Sequence, residues 1–195
     1  MRLGGPARFV AEITSEDQIK KAYEFAKNNQ LPTFILGSGS NVIGRDEGFD
    51  GVLIINKLKG IEVVLKTDSE LLLKGYGGEI LDDFISYGVN LGYSGMEAMS
   101  TIPGTLGAAP VQNVGAYGQD ISGVLESVEA YDSKTDQKIV FSPSDLNLSY
   151  RRTIFNHGDD AGRFFIISVT VRLKKSHLTP PFYNSLQNYI NENNI

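Results

Sequence analysis

The chain has 195 residues, enough for one large domain or two small lobes with a buried core. Its 41% hydrophobic and 21% charged residues describe an ordinary globular protein; 18 basic against 23 acidic residues give a net charge of −5, and no run of Lys or Arg offers a nucleic-acid surface. The absence of Cys excludes disulfides, thiolate metal sites and cysteine nucleophiles, and the two His, His157 and His177, leave little for a histidine metal centre. Nothing reads as a signal peptide or a bilayer-spanning run, so a cytoplasmic location without membrane or nucleic-acid partners is expected.

Arg8 to Ile13 alternates as a strand. Ser15-Glu-Asp-Gln18 has the form of a capping box, and Ile19, Ala22, Tyr23 and Ala26 follow at helical spacing until Asn28-Asn29 closes the helix. Leu31 to Leu36, with a proline near its head, and Val52 to Ile55 read as short buried strands. Residues 1–60 therefore form a small lobe of strand–helix–strand–strand order, with a parallel pair joined by a right-handed crossover. In residues 61–175, a larger lobe, Glu62–Leu65 and Leu71–Gly75 read as paired strands, and Glu79 to Leu91 has helical spacing. Val124–Tyr131 and Lys138–Phe141 make a hairpin across Ser133–Asp136, and Ser142-Pro-Ser-Asp145 starts a helical turn. Phe164 to Leu173 is the most continuous β-branched and apolar strand of the chain. The tail, residues 176–195, is Asn-rich; Tyr183, Leu186 and Ile190 sit at helical spacing, set off from the body by Pro180-Pro181.

Two glycine loops stand out. Gly37-Ser-Gly-Ser-Asn41 follows the second strand directly, and its successive small residues can turn backbone N–H groups toward one anion, with Ser38, Ser40 and Asn41 adding side-chain donors. It matches neither common phosphate motif: Val42 stands where a dinucleotide fingerprint needs its third Gly, and no Gly-Lys-Ser/Thr follows. A tight turn without a ligand is the other reading. The second loop, Ile102 to Gly118, is uncharged and aperiodic yet too apolar for a solvated linker. Gly104, Gly107, Gly115 and Gly118 can take positive φ and admit a flat ligand, while Pro103 and Pro110 stiffen the turns. Facing glycine loops on two α+β lobes make a cleft for an extended dinucleotide.

Five blocks occur in order: Met1-Arg-Leu-Gly-Gly-Pro-Ala7, Leu36-Gly-Ser-Gly-Ser-Asn-Val42, Gly95-Met-Glu97, Ile102 to Gly118, and Ser149-Tyr-Arg151 followed by Phe155. Together they resemble the flavin-binding part of the UDP-N-acetylenolpyruvoylglucosamine reductases of peptidoglycan precursor synthesis, over nearly the whole chain. The resemblance implies an α+β, two-lobed FAD-binding fold of the vanillyl-alcohol oxidase (PCMH-like) type, with FAD between the lobes. It further implies NADPH as reductant, UDP-N-acetylglucosamine enolpyruvate as the small-molecule substrate, and hydride chemistry carried by the flavin. It places Gly37, Ser38, Gly39, Ser40 and Asn41 at the pyrophosphate, Ile102, Pro103 and Gly104 against the isoalloxazine, and Gly107, Gln112, Gly115 and Tyr117 in the cofactor loop.

Arg151 matches the family's active-site arginine and Tyr150 its companion tyrosine. An arginine suits a substrate carboxylate because its planar fork binds bidentately and its charge is permanent. Apart from the resemblance, Arg151 and Arg152 read as a solvated pair at a strand edge, and Tyr150 as an edge aromatic. Gln112 and Asn113 also read as turn-satisfying side chains, Glu97 as a cap for its loop rather than a base, and His157 with Asp159-Asp160 as an exposed turn rather than a metal site. The family's proton-donating serine block, C-terminal glutamate and third, substrate-clamping domain have no counterpart in these residues, so a separate chain supplying that domain is an expected partner. An FAD-dependent reductase is the leading expectation; a non-catalytic flavin or nucleotide-binding module, or a truncated remnant, are the alternatives.

Overall fold

The computed structural model describes residues 3–175 and 183–194; His177 and the Pro180-Pro181 separator lie outside them. The first sheet is built from β1 (Ala7–Ile13), β2 (Thr33–Leu36) and β3 (Phe49–Asn56), with α1 (Asp17–Asn28) between β1 and β2. All pairing is parallel and the order is β1-β3-β2. The expected crossover therefore exists, but its two strands do not touch: β3 lies between them, so that Ile54 pairs with Ala11 on one side and Ile35 on the other. A parallel neighbour cannot be reached by a tight hairpin, so the chain needs a long connection from β2 to β3. Residues 37–48 supply it without a helix, and the first glycine loop is its opening turn.

Helix α1 buries Ile19, Ala22 and Ala26 against this sheet. The capping box before it is only half made. Gln18 Oε1 accepts from the Thr14 and Ser15 backbone N–H groups at 2.8 and 3.3 Å, but the Ser15 hydroxyl donates to Asp17 at 2.5 Å instead of capping the helix. The carboxylate two residues on is a stronger acceptor and leaves the Ser15 oxygen turned away from the N–H groups.

The second sheet is antiparallel, in the order β4 (Ile61–Lys66), β5 (Glu70–Tyr76), β10 (Phe164–Lys174), β8 (Leu125–Asp132), β9 (Gln137–Phe141). Between β5 and β8 come α2 (Leu81–Asn90), a series of 3₁₀ turns and a two-residue ribbon of β6 (Gly115–Ala116) with β7 (Gln119–Asp120). The Ser142–Asp145 turn forms a full reciprocal capping box. Helix α3 (Asn184–Asn193) follows the spacing of Tyr183, Leu186 and Ile190 and buries no side chain among the described residues.

The apolar start of β10, Phe164 to Ile167, reflects its central place, covered on both faces. Phe164 and Ile166 enter the core under α2, whereas Phe165 and Ile167 point the other way and join Ile13, Ile19, Val52 and Ile54 of the small lobe. A register shift between Ile166 and Ser168 resets the alternation, returning Val169, Val171 and Leu173 to the first core. The lobes are also tied on the surface. Lys20 pairs with Asp136, Lys138 with Glu16, and Tyr23 stacks on Tyr131 at 5.5 Å between ring centroids.

Candidate cofactor cleft

Gly37 begins where β2 ends, so the first glycine loop occupies the carboxyl end of a parallel sheet, where α/β proteins place ligands. The second loop is held opposite by main-chain bonds to the large lobe: Leu81 N–H to the Gly104 carbonyl at 3.1 Å, Leu106 N–H to Glu79 at 2.8 Å, and Gly107 N–H to Gly77 at 2.9 Å. Ser40 Oγ donates to the Pro103 carbonyl at 2.6 Å and Asn41 Nδ2 to Gln112 Oε1 at 3.1 Å, joining one loop to the other. They enclose a cavity of about 620 Å³, within the range of small-molecule and cofactor sites.

Of the expected residues, Gly37, Ser38, Gly39, Ser40, Asn41, Ile102, Pro103, Gly104, Gly107 and Gln112 all line this cavity. The glycines serve different ends from those expected. Gly104, Gly107 and Gly115 do not take positive φ; among the loop glycines only Gly39, at +69°, and Gly118, at +86°, do. Gly107 is needed for close approach, since a Cβ there would fall 2.8 Å from the Gly77 carbonyl oxygen, and one on Gly115 would fall 2.6 Å from Asp120. Positive φ is carried instead by Thr101 (65°), Asn113 (45°) and Tyr117 (49°). Two acceptors hold the first two: Asp82 Oδ1 accepts from Thr101 N–H at 2.9 Å, and Asn113 Oδ1 from Ser122 N–H at 3.2 Å.

Gly115, Tyr117, Tyr150 and Arg151 do not line the cavity. They gather beside it. Ser149 and Arg152 exchange backbone hydrogen bonds at 3.0 and 3.1 Å, leaving Tyr150 and Arg151 as the tip of a tight turn and not a strand edge. Arg151 sits at φ 56° and its Nη2 donates to the Gly115 carbonyl at 2.9 Å, while Tyr150 is 90% exposed. Tyr117 packs on Tyr183, ahead of α3, at 4.8 Å.

Glu97 is no base. Burial pushes its carboxyl up, but hydrogen bonds from Gly95 N–H at 2.9 Å and Gln119 Nε2 at 3.2 Å outweigh it and hold the group below its ordinary range. Asp160 is committed to Arg163 at 2.6 Å. Arg163 also forks onto the fully buried Asp132, Nε to Oδ1 and Nη2 to Oδ2, each at 2.6 Å.

The cavity also takes residues that were not among those assigned to the cofactor. Phe155, Ala161, Gly162 and Phe164 form its wall on the β10 side, and Asn56 closes its floor by donating to the Ile166 carbonyl at 2.7 Å. Thr105 lines it with a buried hydroxyl that has no hydrogen-bond partner. Asn56 at a strand end, just past the apolar run of β3, carried a usable signal: a polar side chain where burial is expected.

A family described as "FAD binding domain" matches residues 7–136. The chain belongs to the FAD-binding domain family. Its relatives include the UDP-N-acetylenolpyruvoylglucosamine reductases of Salinispora arenicola, 34% identical over 93% of this chain, and of Thermobifida fusca, 36% identical over 92%. The corresponding reductase of Neisseria gonorrhoeae is 34% identical over 91%. The chain spans about half the length of these curated relatives, 49–51%. Among solved structures, the reductase of Thermus caldophilus superposes with a TM-score of 0.62 at 22% identity, covering 94% of this chain and 60% of that one. The 6-hydroxy-D-nicotine oxidase of Arthrobacter nicotinovorans gives 0.64 at 18% identity, covering 89% and 38%. These neighbours show the fold alone, and it is the two-lobed FAD-binding fold of the vanillyl-alcohol oxidase (PCMH-like) type that the motifs implied.

Proposed function

We propose that the chain is the FAD-binding portion of a cytoplasmic UDP-N-acetylenolpyruvoylglucosamine reductase, in which NADPH is the reductant and a UDP-sugar enolpyruvate the substrate. The observation that carries this reading is the cavity between two glycine loops, lined by ten of the twelve residues assigned to the cofactor. Three features support the fit of a flavin dinucleotide: a largely apolar wall, a strand-terminal turn of small residues for the pyrophosphate, and the buried Thr105 hydroxyl that lacks a partner. Bound there, FAD would supply the hydride chemistry.

The residues of this chain do the placing. Gly37 to Asn41 hold the pyrophosphate, and Ile102, Pro103 and Gly104 present a flat surface that keeps water from the reacting face. Arg151, at the tip of its turn, opposes the negative charge that grows on the substrate carboxylate as hydride is accepted. Tyr150 is its companion, with the guanidinium carbon 5.7 Å from the ring centroid. In this reading the substrate carboxylate replaces the Gly115 carbonyl as partner of the guanidinium. A second reading, a non-catalytic flavin or nucleotide-binding module, is favoured by one observation: Arg151 is bonded to that carbonyl and lies outside the cavity lining.

Separate half-reactions decide between the two. The chain, supplemented with the remaining half of one of its longer relatives, is reduced anaerobically with NADPH and then mixed with enolpyruvyl substrate in a stopped-flow instrument. Substrate-dependent reoxidation of the flavin supports the reductase; its absence supports the binding module. Arg151→Lys keeps the charge but loses the fork, and should slow reoxidation by about 10²-fold, the scale of losing one oriented donor at a developing charge, while leaving reduction by NADPH unchanged. Arg152→Lys is the control. Equal damage from either substitution removes Arg151 from this role.

A further inference from the structure

Thr105 lines the cleft with a side chain whose chemistry conflicts with its surroundings. It is 6% exposed, and its hydroxyl is buried with no hydrogen-bond partner. A valine of the same shape would avoid the desolvation cost of an unpaired hydroxyl. The backbone cannot relieve it. Thr105 pairs with Ile80 in an isolated bridge, its carbonyl accepts from Ala108 N–H at 3.0 Å, and its neighbours Gly104 and Leu106 are bonded to Leu81 and Glu79. On its other side the hydroxyl abuts the glycine turn so closely that a Cβ on Gly37 would lie 2.5 Å away. That turn is the adjustable partner. The side chains that hold it across the cleft, Ser40 on Pro103 and Asn41 on Gln112, are donors that an anion seated in the turn would claim.

We propose that Thr105 is a cofactor-positioning residue whose hydroxyl gains its hydrogen-bond partner only when a dinucleotide pyrophosphate seats on the Gly37–Asn41 turn. The inference rests on the cofactor reading above. The ligand-free protein is then less stable than it could be, and cofactor binding recovers the difference. Binding energy and folding stability trade against each other at one atom, a relation common at sites built for a ligand.

Thermal melts and FAD titration by flavin fluorescence quenching, on the full chain, test this with Thr105→Val, Thr105→Ala and Thr105→Ser. Thr105→Val should raise the ligand-free Tm by roughly 2–6 °C. Its FAD affinity should fall about tenfold, a loss of about 1.4 kcal/mol, and affinity for ADP, which keeps the pyrophosphate but lacks the isoalloxazine, should fall by the same factor. Thr105→Ala, with no methyl to crowd Gly37, should show the same loss of affinity, and Thr105→Ser should bind FAD within about twofold of the parent. A purely structural role would move stability and affinity in the same direction. The inference is overturned if Thr105→Val melts at or below the parent without ligand, or if the parent binds FAD and either hydroxyl-free variant binds it equally well. If the parent binds no FAD, the cofactor reading fails first and takes the inference with it.

Discussion

Thr101, Asn113, Tyr117 and Arg151 hold positive φ around one cleft, a conformation that costs an L-residue about 1–2 kcal/mol at each position. Gly39 was legible as a turn because glycine takes φ +69° without that cost. Asn113 was legible as a turn residue as well, since Asn tolerates this region; Thr101, Tyr117 and Arg151 were not, because local propensity disfavours positive φ there, most severely at the β-branched Thr101. Gly39→Val should therefore strain the turn and block the anion seat, abolishing retention of FAD through purification while circular dichroism still shows one cooperative melt. Asp82→Ala removes the carboxylate that fastens Ser100 and Thr101 at 2.5 and 2.9 Å. It should weaken FAD binding about tenfold or more, because Ile102 to Gly104 lose their anchor, yet lower Tm by only roughly 2–4 °C. Equilibrium titration beside a thermal melt separates the two effects.

At the scale of elements, the loop 156–163 that walls the cavity is fixed at its end by the fork of Arg163 on Asp132, at the last residue of β8. Thr135 Oγ1 and Lys134 N–H complete the shell around that buried carboxylate at 2.7 and 2.9 Å. Asp132→Asn breaks a pair whose loss typically costs about 3–5 kcal/mol and should show as a fall in urea midpoint. The Arg163 guanidinium holds the Asp132 carboxyl far below the usual carboxylate range. As pH falls, the unfolded chain takes up that proton first, so the stabilisation is complete above about pH 5 and drains away below pH 4. Urea melts between pH 7 and 3 should show this acid loss in the parent and a flatter profile in Asp132→Asn. The strand and helix pattern of this region was readable from periodicity, including the hairpin across Ser133–Asp136. The knot was not, since Asp132 and Arg163 meet only after β8 and β10 pair antiparallel.

Across the whole molecule, motif residues disclosed the fold class and most of the cleft, because backbone-permissive loops leave marks in sequence. The insertion of β3 between β1 and β2, and the placement of Tyr150 and Arg151 outside the lining, left none: sheet order and turn orientation are settled by packing far along the chain. If the cleft is the cofactor site, FAD at a hundred times its Kd should stabilise the folded protein by about 2.7 kcal/mol and raise Tm by roughly 5–11 °C. Differential scanning fluorimetry with rising FAD reads this directly, and an unchanged Tm removes the cofactor from the cleft.

The strand β10 supplies both hydrophobic centres, Phe164 and Ile166 on one face, Phe165 and Ile167 on the other. During synthesis, the residues of β1 to β3 emerge more than a hundred positions before the side chains that finish their own core. The amino-terminal lobe cannot complete its core ahead of the rest, unlike domains that fold as units on the ribosome. Ile13, Val52 and Ile54 have α1 beside them early, but Phe165 and Ile167 complete their cover only when residue 167 is free of the exit tunnel. Such long-range closure makes folding slow and leaves the nascent chain dependent on protection from aggregation for as long as translation runs.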